Sequence, residues 1–171
     1  MKKLILITAV FCLASVLNGQ TDPVEEMFDK YSEKEGFTTV YISGRMFNLF
    51  SDKSSEAEAN VMRRLKGIRI LTVENPLLNK SINFYTELSR KLDKSAYEEL
   101  MVVKEKNEVT RFLIRQKGDI ITELLVVSGG TEGNVLISIT GDLDLKAISE
   151  LSKKTGIDEL KELENIEKKV P

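Results

Sequence analysis

Histidine is absent from the 171-residue chain, and cysteine occurs once, at Cys12. Without imidazole there can be no Ser-His-Asp triad, no Cys-His pair, no histidine-zinc centre and no histidine acid–base step. Serine–lysine acyl chemistry is missing its spacing as well, because no serine has a lysine three positions later. The adjacent pairs Glu25-Glu26 and Glu98-Glu99 do not form a catalytic dyad, since neighbouring residues on a helix or strand diverge instead of facing one substrate. The expectation is a chain that is not an enzyme, with no catalytic, cofactor-binding or metal-binding residues and no cofactor.

Strong charge of either sign is also missing. The net charge is −2; without Lys2 and Lys3, 23 basic residues face 27 acidic ones, a balance of −4. Charges are interspersed, and no basic block of the kind that neutralises phosphates occurs, so nucleic acid is not an expected partner. The short cluster Arg63, Arg64 and Lys66 reads as the solvated face of a helix.

The one long apolar run lies at the start. Lys2 and Lys3 precede Leu4 to Leu17, the pattern of a secretory signal peptide, and the run is shorter than the roughly 20 residues of a spanning helix. Residues 1–20 are therefore expected to be removed, leaving 21–171 as one exported domain, in the periplasm or at the cell surface, with no transmembrane segment. Phe11 before Cys12 is too large for a lipoprotein signal. The mature domain then has no cysteine and depends on burial alone, which about 150 residues can supply.

Asp22 and Pro23 open a helix whose Val24, Met27, Phe28 and Tyr31 share one face, with Gly36 as its stop. Residues 37–43, "FTTVYIS", are apolar on both faces and read as a central strand covered on both sides. "RMFNLF" after Gly44 fits a short helix or an apolar loop. Ser55 and Glu58 form a capping box ahead of Ala57, Val61 and Leu65, and Gly67 is expected to stop that helix. Residues 68–73 form a second strand, and Ile82, Tyr85, Leu88 and Leu92 trace a third helical stripe.

From residue 97 the period becomes two, and four apolar runs are divided by Lys106-Asn107, by Lys117-Gly118-Asp119 and by "VSGGTEGN", residues 127–134. This predicts four consecutive antiparallel strands. A two-residue turn at Lys106-Asn107 sets Met101 opposite Phe112 and Glu98 opposite Arg115. "VSGGTEGN" lacks the lysine of a P-loop and the G-x-G-x-x-G of a dinucleotide loop, and it leads into the alternating Val135, Ile137 and Ile139 of a strand. It is therefore expected to be a turn, its glycines supplying positive φ. In "GDLDLKAISELS" an aspartate is expected to cap a helix burying Leu145, Ile148 and Leu151 rather than to bind calcium. Ile157, Leu160, Leu163 and Ile166 continue an amphipathic stripe.

The fold expected is α+β: a mixed sheet of about six strands ending in a four-stranded antiparallel meander, helices mainly on one face, and a C-terminal amphipathic helical segment from about 143. The function expected is an exported interaction module of the cell envelope with a protein partner. Contact residues are Leu100, Val102 and Leu113 on a meander face opposite Met101 and Phe112. The alternative is a carrier of a small apolar ligand in an internal cavity, with Phe47, Phe50, Phe84 and Tyr85 lining it.

The segments "FDKYSEKEGFTTVYISGRMF", "LKGIRILTVE", "YEELMVVKEKNEVTRFLI" and "LISITGDLDLKAISELSK" together resemble an uncharacterised family of exported Bacteroidetes proteins, domain of unknown function 4252. The resemblance implies export to the envelope, often as a lipoprotein, and a link to envelope regulation through members encoded near extracytoplasmic-function sigma factors. It supplies no catalytic residues, and this chain departs from its lipoprotein members at Phe11.

Overall fold

All strands among the described residues join one sheet. The computed structural model describes residues 21–51, 54–73 and 75–144. The strands are β1 (Phe37–Ser43), β2 (Leu65–Val73), β3 (Glu98–Lys104), β4 (Glu108–Lys117), β5 (Ile120–Gly130) and β6 (Asn134–Leu143). Their spatial order is β1-β2-β6-β5-β4-β3, and every pairing is antiparallel. The expectation of a mixed sheet is thus corrected. The chain from β2 crosses to the far edge and enters as β3, and three antiparallel steps then return β6 to the side of β2 running against it.

Among the described residues five helices accompany the sheet: α1 (Pro23–Tyr31), α2 (Gly44–Ser51), α3 (Glu56–Arg64), α4 (Pro76–Asn79) and α5 (Phe84–Ser89). Asp22 caps α1 by accepting from the Val24 amide at 2.9 Å, and Val24, Met27, Phe28 and Tyr31 are buried, as their spacing requires. Gly36, at φ 84°, turns the chain into β1, and a Cβ there would lie 2.7 Å from Leu78 Cδ1. Glu58 accepts from the Ser55 amide at the start of α3. That helix ends at Arg64, so Leu65 opens β2 and Gly67 lies within it. Strand pairing on both sides of β2 overrides the helical periodicity there, a common tertiary effect. The stripe Ile82 to Leu92 is likewise cut: Asn83 caps α5 by accepting from Thr86 N at 2.7 Å, though all four apolar residues still reach one core cluster.

Apolar packing occupies both sheet faces, so the expectation of helices mainly on one face is corrected. Leu71, Leu113, Leu125, Val127 and Leu136 lie under α1 and α5 with Phe28, Tyr31, Phe84 and Leu88. Ile68, Phe112, Leu124, Val126, Ile137 and Ile139 form the second core, joined by Phe47 of α2 and Val61 of α3. Both faces are apolar because alternate residues of β2, β4, β5 and β6 are apolar in both phases.

β1 departs most from expectation. Among the described residues it pairs only with β2, and its middle residues Thr39, Val40 and Tyr41 are exposed. A strand read as central is an edge among the described strands. The expected signal segment 1–20 and the expected helix beyond Asp144 lie outside the described residues.

Candidate functional site

The glycine-rich stretch joins β5 to β6, with the Gly130 amide donating to Gly133 O at 2.9 Å. Its glycines do not supply positive φ, which among the described glycines is confined to Gly36 and Gly118, and that expectation is corrected. They are small because other chain segments come close. A Cβ on Gly129 would lie 2.7 Å from Tyr85 N, and one on Gly130 would lie 2.1 Å from Asn107 O. Asn134 completes the fastening. Its Oδ1 accepts from Phe84 N at 2.7 Å, while its Nδ2 donates to Asn79 Oδ1 and to the carbonyls of Ile82 and Gly130 at 3.0 to 3.1 Å. This side chain is buried and fully satisfied, so the motif docks the α4–α5 segment on the sheet.

The aspartates at the end of β6, Asp142 within it and Asp144 just past it, also have structural partners. Lys66 Nζ donates to Asp142 Oδ1 at 2.7 Å, and Arg64 Nη1 to Asp144 Oδ2 at 2.8 Å. Arg64 and Lys66, read from sequence as a solvated face, thus hold the end of β6. Among the described residues no group of three or more His, Cys, Asp or Glu side chains is placed to hold a metal ion.

A second polar cluster lies under the start of α1. Buried Glu123 accepts from Ser138 Oγ at 2.6 Å and from Tyr97 OH at 2.7 Å. Burial and the Glu123 charge push the Tyr97 phenol well above its usual range, which keeps it protonated and donating. Arg115 donates to the Tyr97 oxygen and, at 2.7 Å, to Asp22 Oδ2, and stacks 4.5 Å from the Tyr97 ring centre. The helix cap, sheet and Tyr97 are therefore one connected network, and such a network specifies a single arrangement.

Beside it runs an open groove of about 220 Å³, lined by Tyr85, Leu88, Leu92, Tyr97, Arg111 and Leu113 among others. Arg111 pairs with Glu99 at 2.8 Å and lies 4.9 Å from the Tyr85 ring centre. Its Nε is buried without a hydrogen bond.

The contact residues expected from sequence do not converge. Leu113 is buried under α5 and borders the groove. Val102 pairs in register with Arg111. Leu100 packs with the opposite core, because a register shift between Glu99 and Met101 interrupts β3; the expectation that Leu100 shares a face with Leu113 is corrected. The same shift sets Glu98 opposite Ile114 instead of Arg115, while Met101 faces Phe112 as the turn predicts. Phe47 is half-buried against the core of its own face. Phe84 is fully buried and Tyr85 half-buried, both on the other face. Only Phe50 of the set is exposed.

Phe50 belongs to a surface the sequence reading missed. Tyr41 is 68% exposed, Leu49 67%, Phe50 50%, Met46 46% and Val40 39%, and all lie in the continuous segment of β1 and α2. Helix α2 turns Phe47 inward, leaving Met46, Leu49 and Phe50 at i, i+3 and i+4 on another side. The signal was present: "RMFNLF" holds more large apolar residues than one face of a two-turn helix can bury. Scattered exposed apolar residues are ordinary; these five fall within one stretch of chain, with Val40 and Tyr41 on opposite faces of the sheet and Met46, Leu49 and Phe50 on the helix that follows.

No helix among the described residues is long and apolar enough to cross a membrane. Comparison with curated proteins gives no match, and comparison with solved structures gives none. Residues 31–151, however, match the family described as Domain of unknown function (DUF4252), a span that takes in all six strands, α2 and the Asn134 fastening but not Val24, Met27 and Phe28 of α1. The chain belongs to the DUF4252 family.

Proposed function

We propose that the chain is an exported, non-enzymatic interaction module of the cell envelope, binding a protein partner through the border formed by β1 and α2. The observation that carries this reading is the exposure of Val40, Tyr41, Met46, Leu49 and Phe50 together. Export is supported by Lys2 and Lys3 ahead of Leu4 to Leu17. A binding role is supported by the state of the polar groups: Glu123, Tyr97, Arg115 and Asn134 are engaged in bonds that hold the fold. The site differs from the one expected at Leu100, Val102 and Leu113, since Leu113 is covered by the chain's own helices.

A photoreactive residue in place of Tyr41, introduced in cells, tests the reading. Discrete crosslinked species from position 41, absent when the residue replaces the also exposed Ile120, are expected. No species at 41, or the same species at both positions, contradicts it.

The groove supports the second reading, a carrier of a small ligand. Its apolar wall of Leu88, Leu92 and Leu113 and the unbonded Arg111 Nε suit an apolar molecule bearing one acceptor. Its volume lies below the roughly 300 to 1,000 Å³ of ordinary ligand sites, which ranks this reading second. Native mass spectrometry of the purified protein distinguishes them: a retained small molecule supports the carrier.

A further inference from the structure

The groove between α5 and the sheet has an unbalanced charge and a buried donor with no acceptor, and together these indicate what fits it. We propose that it binds a small aryl carboxylate, the ring lying against Tyr85, Tyr97 and the leucines and the carboxylate meeting Arg111 and Lys94. The inference is independent of the β1–α2 border. It rests on the reading of the groove as a ligand site and names the class of ligand.

Charge is the first argument. The ionised residues of the lining are Lys94, Arg111 and Glu99, two cations and one carboxylate, which leaves one positive charge in excess. Glu99 is already met by Arg111 at 2.8 Å. Lys94 makes no hydrogen bond or ion pair among the described residues, and its own turn is held without it, because Asp93 accepts from Ser95 N at 2.9 Å and from Ser95 Oγ at 2.7 Å. A cationic ligand would be repelled by this excess, and a phosphate dianion would exceed it. A monoanion neutralises it.

Hydrogen bonding is the second. Arg111 binds Glu99 through Nη1, while its Nε is buried with no partner. A buried donor left unbonded is unfavourable, and folded proteins normally supply an acceptor for one. A guanidinium carries five donors in a fixed fork, so Arg111 can keep Glu99 and still take a second carboxylate on its Nε side. The group is held ready for this: it stacks 4.9 Å from the Tyr85 ring centre, and Arg111 is fixed in β4 opposite Val102.

The walls are the third. Leu88, Leu113 and Val127 are buried and give the groove an apolar floor. The partly exposed Tyr85 and Tyr97 add two rings to the lining. The Tyr97 hydroxyl is engaged already, donating to Glu123 at 2.7 Å and accepting from Arg115, so this residue offers a ring and no free polar group. Aromatic side chains hold another ring by offset or edge contacts. An apolar cavity of about 150 Å³ accommodates benzene. The groove, at about 220 Å³, therefore has room for one ring and a carboxylate but not for a nucleotide.

The test titrates the full chain with benzoate, benzyl alcohol and benzylamine, molecules alike in size and different in charge, and follows the protein by NMR. The chain has four tyrosines and no tryptophan, so the ring signals of Tyr85 and Tyr97 are read against those of Tyr31 and Tyr41 in the same sample. Benzoate is expected to shift Tyr85 and Tyr97 saturably with a Kd below about 1 mM, leaving Tyr31 and Tyr41 in place. Benzyl alcohol should bind about tenfold more weakly, for want of a charge-assisted bond, and benzylamine more weakly still. Lys94→Gln is expected to weaken benzoate about threefold, as for an exposed charge, and Arg111→Lys about tenfold, because the charge stays but the fork is lost. Neither change should alter binding of benzyl alcohol. Benzyl alcohol binding as tightly as benzoate, benzylamine binding best, or benzoate binding that Lys94→Gln and Arg111→Lys both leave unchanged overturns the carboxylate while the groove stands as a ligand site. No shift at Tyr85 and Tyr97 with any of the three molecules sinks both the proposal and the carrier reading.

Discussion

The outer strand β3 begins with Glu98 and Glu99, ends with Lys104, and is broken by a register shift between Glu99 and Met101, whereas β1 at the opposite edge carries no charge and pairs without irregularity. Glu99 is also tied across to Arg111. β3 therefore has two of the devices by which natural sheets avoid edge-to-edge association, and β1 has neither. Equal edges would single out neither as a contact surface. Unequal edges favour the uncharged one for the contact proposed above, and the exposed apolar side of α2 lies next to it.

The comparison assumes that the sheet interior is equally firm toward both edges, and core truncation tests that assumption with the largest effects. Phe112→Ala in β4 is expected to cost about 3–5 kcal/mol and Leu71→Ala in β2 about 2–5 kcal/mol, because both side chains are fully buried. Denaturant unfolding measures both. A negligible cost at Leu71 would mean that the sheet is loose near β1 and that the exposure there reflects poor packing.

Asn134→Ala comes next. It leaves the Phe84 amide and the Ile82 carbonyl without their partner, and each buried group so orphaned costs about 1–3 kcal/mol. Unfolding should show the loss, with amide exchange accelerating in residues 79–85 and not in β1.

Acid titration gives a smaller effect and separates folding from binding. Burial alone pushes the Glu87 carboxyl up, but hydrogen bonds from Lys30 at 2.6 Å and Tyr31 at 2.7 Å outweigh it and hold the carboxyl below its ordinary value. A depressed folded pKa contributes stability that is present above the unfolded value of 4.5 and is lost as pH falls through the folded one. Glu87→Gln should flatten the acid limb of the stability profile below that value and leave the crosslinks from position 41 unchanged. Val40→Lys has the smallest effect on folding, within about 0.5 kcal/mol as for other surface sites, yet should abolish those crosslinks. The reciprocal change, Glu98→Val with Lys104→Val, should make β3 more adhesive in sedimentation than it is in the native chain.

Much of this architecture was legible in the sequence. Asp22-Pro23 with its four apolar residues, the turn at Lys106-Asn107 and the strand after "VSGGTEGN" all fold as local chemistry dictates, because each signal is carried within a few residues. What the sequence hid depends on non-local pairing. β2 claims Leu65 and Gly67 because it is paired on both sides, and the slip at Glu99 moves Leu100 to the other core, although nothing in the local pattern marks either event. The glycines at 129 and 130 make room for Tyr85 and Asn107, residues more than twenty positions away in the chain.

The candidate site was legible least of all. Apolar residues in both phases of β1 indicate a covered strand, and sequence cannot say whether the cover comes from the same chain. Its middle residues Thr39, Val40 and Tyr41 are exposed, and the proposal that a partner covers them is what the sequence pattern and that exposure together support.

Amide hydrogen exchange of the isotope-labelled chain, alone and in envelope extract, tests the central claim most directly. Exchange at those amides of Thr39, Val40 and Tyr41 that point away from β2 should slow in the extract, while β3 exchanges at one rate throughout. Exchange in β1 that is the same in both, whether fast or slow, would contradict the claim that a partner covers this edge.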